Sequence, residues 1–230
     1  MRHDWRNLSR ILPSKRQSGG GAGGIALVSH VALTPSGQNG GTTSAIDTTG
    51  ANLIVIGVTV TFALVPTISD SKGNTWTSIV NQADTGNFAR SRLFYCLAPT
   101  VGTGHTFTGA VSGMTGTIAV AAFSGVKATL ALDQQNSAGN TNSTIQPGSI
   151  TPTVASSLVV TAVSLAGGTT AAINGSYNIS DQVAFLGSNY YGIGLAYIIQ
   201  GAAAATNPTW TVSGSPSGLA STIASFKPGP

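Results

Sequence analysis

The sequence predicts an all-β protein: a jelly-roll-like antiparallel β-sandwich of about ten to twelve strands with an internal pseudo-repeat, preceded by an N-terminal arm. Three observations lead there. Thr, Ser, Ala, Gly, Val and Ile dominate, glutamate is absent, and 30 glycines punctuate the chain, so strand formers are abundant and good helix formers few. Short apolar or alternating runs lie between Gly, Pro, Asn and Asp clusters at the ~8–12-residue spacing of a sandwich. The second part of the chain also repeats the first at a nearly constant offset, the mark of two related halves.

The run Leu53-Ile54-Val55-Ile56-Gly57-Val58-Thr59-Val60 is the centre of the first half. It is apolar on both faces and bounded by Gly50 and Pro66, which reads as a strand covered on both sides. Leu158-Val159-Val160-Thr161-Ala162-Val163 restates it. Further echoes follow in order. Leu195-Ala196-Tyr197 matches Leu93-Phe94-Tyr95, Trp210-Thr211 matches Phe107-Thr108, and Ile223-Ala224-Ser225-Phe226 matches Val120-Ala121-Ala122-Phe123, with offsets between 101 and 105. The halves are about 51–126 and 156–227 within a sandwich covering 25–230. One sandwich fed by both halves is the preferred arrangement; two small sandwiches in tandem is the alternative.

Residues 1–17 form a basic arm. Trp5, Leu8, Ile11 and Leu12 recur at helical spacing between an Asp4 N-cap and Pro13, and Arg6 and Arg10 share the opposite face. A helix this short is marginal alone, so its use is to dock on a partner or a neighbouring copy. Arg2, Arg6, Arg10, Lys15 and Arg16 oppose Asp4, whereas basic and acidic residues balance in the rest of the chain. The net charge of +4 therefore belongs to the arm, and the body is not expected to bind nucleic acid. Residues 18–24 are a Gly-rich tether. They match a G-x-G-x-x-G spacing, but no strand precedes them and no helix follows.

From there Ile25 to Thr34 reads as a strand, 36–50 as a loop, and Ala51 to Leu64 as the central strand. Asp70-Ser71-Lys72-Gly73-Asn74 has turn chemistry: Asp and Asn for local side-chain bonds, Gly for positive φ. Strands follow at Asn74–Val80 with Trp76 inward, then Arg90–Ala98, Thr103–Val111 and Thr117–Val126. Residues 127–152 supply one or two edge strands and a Pro-bounded crossover.

Chemistry is sparse. His3, His30 and His105 show no metal-ligand spacing, Cys96 is alone in an apolar run, and no G-x-S-x-G elbow or Walker loop occurs. Of the six aspartates, only Asp70 and Asp84 lie close in sequence, both in turns. No catalytic residue, metal or cofactor is expected. An esterase or glycosidase would need His105 or His30 brought near an Asp and a Ser. Sequons at Asn7, Asn142, Asn174 and Asn178 are ascribed to chance in so Asn-, Ser- and Thr-rich a chain. No run reaches the ~18 apolar residues of a membrane span, and no apolar stretch follows the basic N-terminus as in a secretory signal. Only 7% of residues are charged, so the surface rests on hydroxyls and amides and can pack on another protein with little charge to desolvate. Trp76, Trp210, Tyr177, Tyr190 and Tyr191 are the aromatics that could stack on a sugar. Tyr190 and Tyr191 are adjacent in a strand, so one must face outward; with Asn189 it is the candidate recognition surface.

The arm Trp5 to Arg16, the linker Gly19 to Gly24 and the block Asp70-Ser71-Lys72-Gly73-Asn74-Thr75-Trp76-Thr77 together resemble bacteriophage virion proteins, namely capsid decoration (cement) proteins and tail or fibre proteins. The resemblance implies a non-enzymatic structural role in the virion, commonly as a symmetric homo-oligomer such as a trimer. It implies contacts with other virion proteins such as the major capsid protein or tail subunits. On that reading Arg2, Trp5, Arg6, Leu8, Arg10, Ile11, Leu12 and Arg16 clamp the particle. The rival is a tail or fibre receptor-binding or carbohydrate-binding adhesin module.

Overall fold

The computed structural model describes residues 24–33, 41–61, 64–83, 85–86, 88–110, 116–187 and 191–230. The arm and all of the linker but Gly24 lie outside these residues. The described chain is all-β and antiparallel. In the first half run β1 (Ala26–Ala32), β2 (Gly41–Thr42), β3 (Leu53–Thr61), β4 (Thr67–Asp70), β5 (Thr77–Ala83), β6 (Ala89–Leu97), β7 (Phe107–Ala110) and β8 (Thr117–Ser124). In the second run β9 (Leu132–Asn140), β10 (Thr144–Ile145), β11 (Ser157–Ile173), β12 (Asn178–Val183), β13 (Gly192–Gln200) and β14 (Trp210–Phe226).

Each half builds its own large sheet. The first has the order β1-β8-β3-β6-β5. The second repeats it as β9-β14-β11-β13-β12. The expectation that both halves would feed both sheets of one sandwich is therefore corrected. The physical reason lies in strand count. The first half has enough strands for a second, outer sheet of its own, β2-β7-β4. In the second half the ends of two long strands do that work: Thr170–Ile173 of β11 and Trp210–Ser213 of β14 pair with each other, and β10 pairs with β14.

The repeat holds residue by residue. Val55 pairs with Tyr95 and Ala121; Val160 pairs with Tyr197 and Ala224. The halves differ in the lengths of their turns. The turn between β4 and β5 runs from 71 to 76, that between β11 and β12 only from 174 to 177. The offset accordingly falls from 103 at Asp70/Ile173 to 101 at Thr77/Asn178.

The two large sheets face each other across one core, in which Leu53, Val55, Leu93 and Phe123 meet Leu158, Val160, Leu195 and Phe226. The contact is reciprocal. The Tyr95 ring meets Phe226 edge-on at 5.5 Å, and its counterpart Tyr197 meets Phe123, the counterpart of Phe226, at 5.2 Å. Such an exchange of equivalent partners is the signature of a two-fold axis, here an internal one. Gly57 and Ala162, equivalent to each other, lie on it: a methyl group at Gly57 would stand 3.3 Å from the Ala162 Cβ and 3.1 Å from Ile193 Cδ1. The sheets approach so closely that a second methyl would be tight, and its neighbours would have to give by a few tenths of an ångström.

The outer faces are covered too. Ile54, Ile56, Val58 and Ile118 pack under Phe107 of the outer sheet, and Val159, Val163 and Ile223 pack with Trp210 and Tyr177. Leu53–Val60 is accordingly buried at every position, as the unbroken apolar run predicts.

Candidate functional site

The densest set of chemistry-bearing side chains lies at the end of β4. Asp70 closes that strand and begins a turn over 71–76, where Gly73 takes φ 73°. Asp70 Oδ1 accepts the Lys72 N–H at 2.8 Å and the Asn74 Nδ2–H at 3.2 Å, the local bonding that Asp brings to turns. Its Oδ2 accepts Trp76 Nε1–H at 2.9 Å. The turn is clamped to the next loop: Lys72 Nζ donates to Thr103 O at 3.0 Å and the Thr106 N–H to Ser71 Oγ at 3.0 Å.

His105 enters from that loop, stacked on Phe107 at 4.3 Å. Its Nε2 lies 3.1 Å from Asp70 Oδ1 and its Nδ1 2.9 Å from Thr48 Oγ1. With Nε2–H donating to the carboxylate, Nδ1 is left to accept from the Thr48 hydroxyl. Hydroxyl, imidazole and carboxylate stand in the order of a nucleophile–base–acid relay. Yet Thr48, His105 and the Asp70 carboxylate are all 0% exposed, and the depressions around Gly125, Asn142 and Asn174 are lined by other residues. A relay has to reach a substrate; this one holds two loops to the outer sheet. In the second half Ile173 stands where Asp70 does, and the turn is tied instead through Tyr177 OH with Thr206 Oγ1 at 2.9 Å and Thr209 N–H to Asn174 Oδ1 at 2.8 Å.

No family model, curated protein or solved structure matches this chain. Its functional reading therefore rests on its own residues.

His30 of β1 reaches Asp181 of β12 at 3.1 Å and ties the two large sheets along one edge. Burial raises the Asp181 pKa, and the His30 contact only partly offsets this. A carboxyl whose pKa is higher folded than unfolded favours the native state while protonated, and that benefit is lost as pH rises through the folded value. Asp181→Asn should therefore melt above the parent at pH 7 and lose that advantage below about pH 4, the ordinary carboxylate range. Melting temperatures of both proteins at the two pH values check this. Equal melting at pH 7 would mean that the burial cost is fully offset.

Of the aromatics considered for a sugar platform, Trp210, Tyr177 and Tyr191 are buried and Trp76 is half-buried against Phe107. Tyr191 packs with Ala89, Ala166 and Phe185, so its ring does not supply the outward face. Asn189 and Tyr190 lie outside the described residues, as do Arg2, Trp5, Arg6, Leu8, Arg10, Ile11, Leu12 and Arg16. Cys96 is free and buried, and burial, with the Asp70 carboxylate adding, pushes its thiol pKa up. Among the described residues no three His, Cys, Asp or Glu side chains gather as a metal site.

One feature is absent from the sequence reading. Asn140, Asn142, Gln146 and Thr209 line a depression of about 290 Å³, and Ile173, Asn174, Thr209 and Thr211 line another of about 310 Å³. They adjoin at Thr209 on the outer side of the second half. The sequence signal was the pair of sequons at Asn142 and Asn174, which only the fold places on neighbouring ledges.

Proposed function

We propose that this protein is a non-enzymatic structural component of a bacteriophage virion, of the capsid-decoration type, held to the particle by residues 1–17. The observation that carries the reading is how the body uses its few reactive side chains. His105, Asp70 and Thr48 are sealed ties, and Lys227 pairs with Asp133 at 3.3 Å. The body is thus built as a rigid, nearly uncharged block, suited to packing against copies of itself or neighbouring subunits. The winding supports the reading as well. In the first half an inner order β1-β8-β3-β6 with an outer order β2-β7-β4 follows jelly-roll winding, from which β5 departs by pairing with β6 in the inner sheet.

The arm supplies attachment. Its apolar face and basic residues suit an acidic, partly apolar groove on the particle, and many weakly held copies act together through effective concentration. Deletion of residues 1–17 is expected to abolish co-sedimentation with particles while leaving the melting temperature of the body within about 2 °C of the full chain, since that shift is under about 1 kcal/mol at this size. Truncated protein that still sediments with particles would overturn the anchoring role.

A further inference from the structure

We propose that the paired depressions meeting at Thr209 form a binding groove for a neutral carbohydrate. The lining has no charged side chain. Its polar groups are amides and hydroxyls, which both donate and accept and so match the hydroxyls of a sugar ring, themselves both donors and acceptors. Ala172 and Ile173 border one depression and offer an apolar strip to the C–H face of such a ring. Each depression is near the lower end of small-ligand sites, about 300 Å³ and upwards, so the pair suits two or three sugar units.

The amides are held in place before any ligand arrives. Gln146 Nε2 donates to Thr209 Oγ1 at 3.0 Å, Asn207 Nδ2 donates to Gln146 Oε1 at 3.3 Å, and Thr209 N–H donates to Asn174 Oδ1 at 2.8 Å. Fixing the groups beforehand lowers the ordering cost of binding. Asn207 Oδ1, on the amide that clamps Gln146, is a buried acceptor with no partner.

Comparison of the halves points to the same place. In the first half Ser71 holds Thr106 as Asn174 holds Thr209, but the longer turn adds Lys72, which reaches across to Thr103 O. The turn of the second half is two residues shorter and carries no cation. The equivalent turns have thus diverged, one bonded to the next loop through a lysine and the other lined with amides.

The test is a titration of the ¹⁵N-labelled full chain with glucose, galactose, mannose, N-acetylglucosamine and their linear trisaccharides, with N-acetylneuraminic acid as the charged comparison. A neutral sugar is expected to shift the Asn142 and Gln146 side-chain amides and the Thr209 N–H, with Kd in the region of 1 mM for so few neutral bonds. Asn142→Ala, an exposed position, should weaken binding about tenfold without changing the melting temperature. Shifts with none of these sugars, shifts confined to another surface, or a preference for N-acetylneuraminic acid would each overturn the proposal. None of these outcomes bears on attachment through the arm, so the two readings fail separately.

Discussion

Asp70→Ala is expected to destabilise the protein by about 3–5 kcal/mol, because several buried donors lose one acceptor at about 1–3 kcal/mol each. At this chain length that lowers the melting temperature by roughly 10 °C or more. Five donors lose this acceptor together: the Lys72 N–H, the Asn74 N–H and side-chain amide, Trp76 Nε1–H and His105 Nε2. Each is a group whose desolvation the carboxylate had compensated. Asp70→Asn should cost less, because with its oxygen in the Oδ1 place it still serves the turn and His105, and only Trp76 Nε1–H meets the new NH₂ donor to donor. Thermal denaturation followed by circular dichroism, with Trp fluorescence reporting on Trp76, reads both variants. A melting temperature for Asp70→Ala within about 2 °C of the parent would show that the network is no structural tie.

A second large effect is expected from cutting the chain in the crossover, between Lys127 and Leu130. Neither fragment should form its sheet alone, because each would leave the inner face of that sheet in water. For the first half that face carries Leu53, Val55, Leu93 and Phe123, all fully buried in the intact protein. At about 1.5–3 kcal/mol for each large side chain, exposing four of them costs about 6–12 kcal/mol, as much as the whole stability of an ordinary domain, about 5–15 kcal/mol. Produced together, the fragments should associate through the reciprocal Tyr95–Phe226 and Tyr197–Phe123 contacts. Their pairing should be unequal-partnered. Gly57 against Ala162 fills the axis, whereas two first halves would set glycine against glycine and two second halves methyl against methyl. Size-exclusion chromatography with circular dichroism of each fragment alone and of the mixture decides the matter. A first-half fragment that is monomeric and folded by itself would refute it.

What the sequence made legible follows from where repetition and burial leave a mark. The strand Leu53–Val60 declares itself because a doubly covered strand must be apolar at every position, and its echo at Leu158 declares the duplication for the same reason. How the halves are assembled was hidden. Which sheet a strand joins depends on pairings across more than a hundred residues, and alternation along one strand says nothing of them. Strand β2, only Gly41–Thr42, carries no periodicity at all, and β4 is hidden beside the Asp70 turn, so a separate outer sheet in the first half does not show in the sequence. The Asp70 turn was readable from its own residues. Its bond to His105, 35 positions away, was not. The ledges at Asn142 and Asn174 come together only through Thr209, which no local pattern distinguishes from its neighbours.

The continuous strands of the second half have a mechanical consequence. In the first half the inner and outer layers are separate pieces of chain, so β2, β4 and β7 can come away as a unit while β3, β6 and β8 stay paired. In the second half β11 and β14 each run through both layers as 17-residue strands, and loosening the outer layer levers directly on the core. One duplicate can therefore open by steps, and the other yields only all at once.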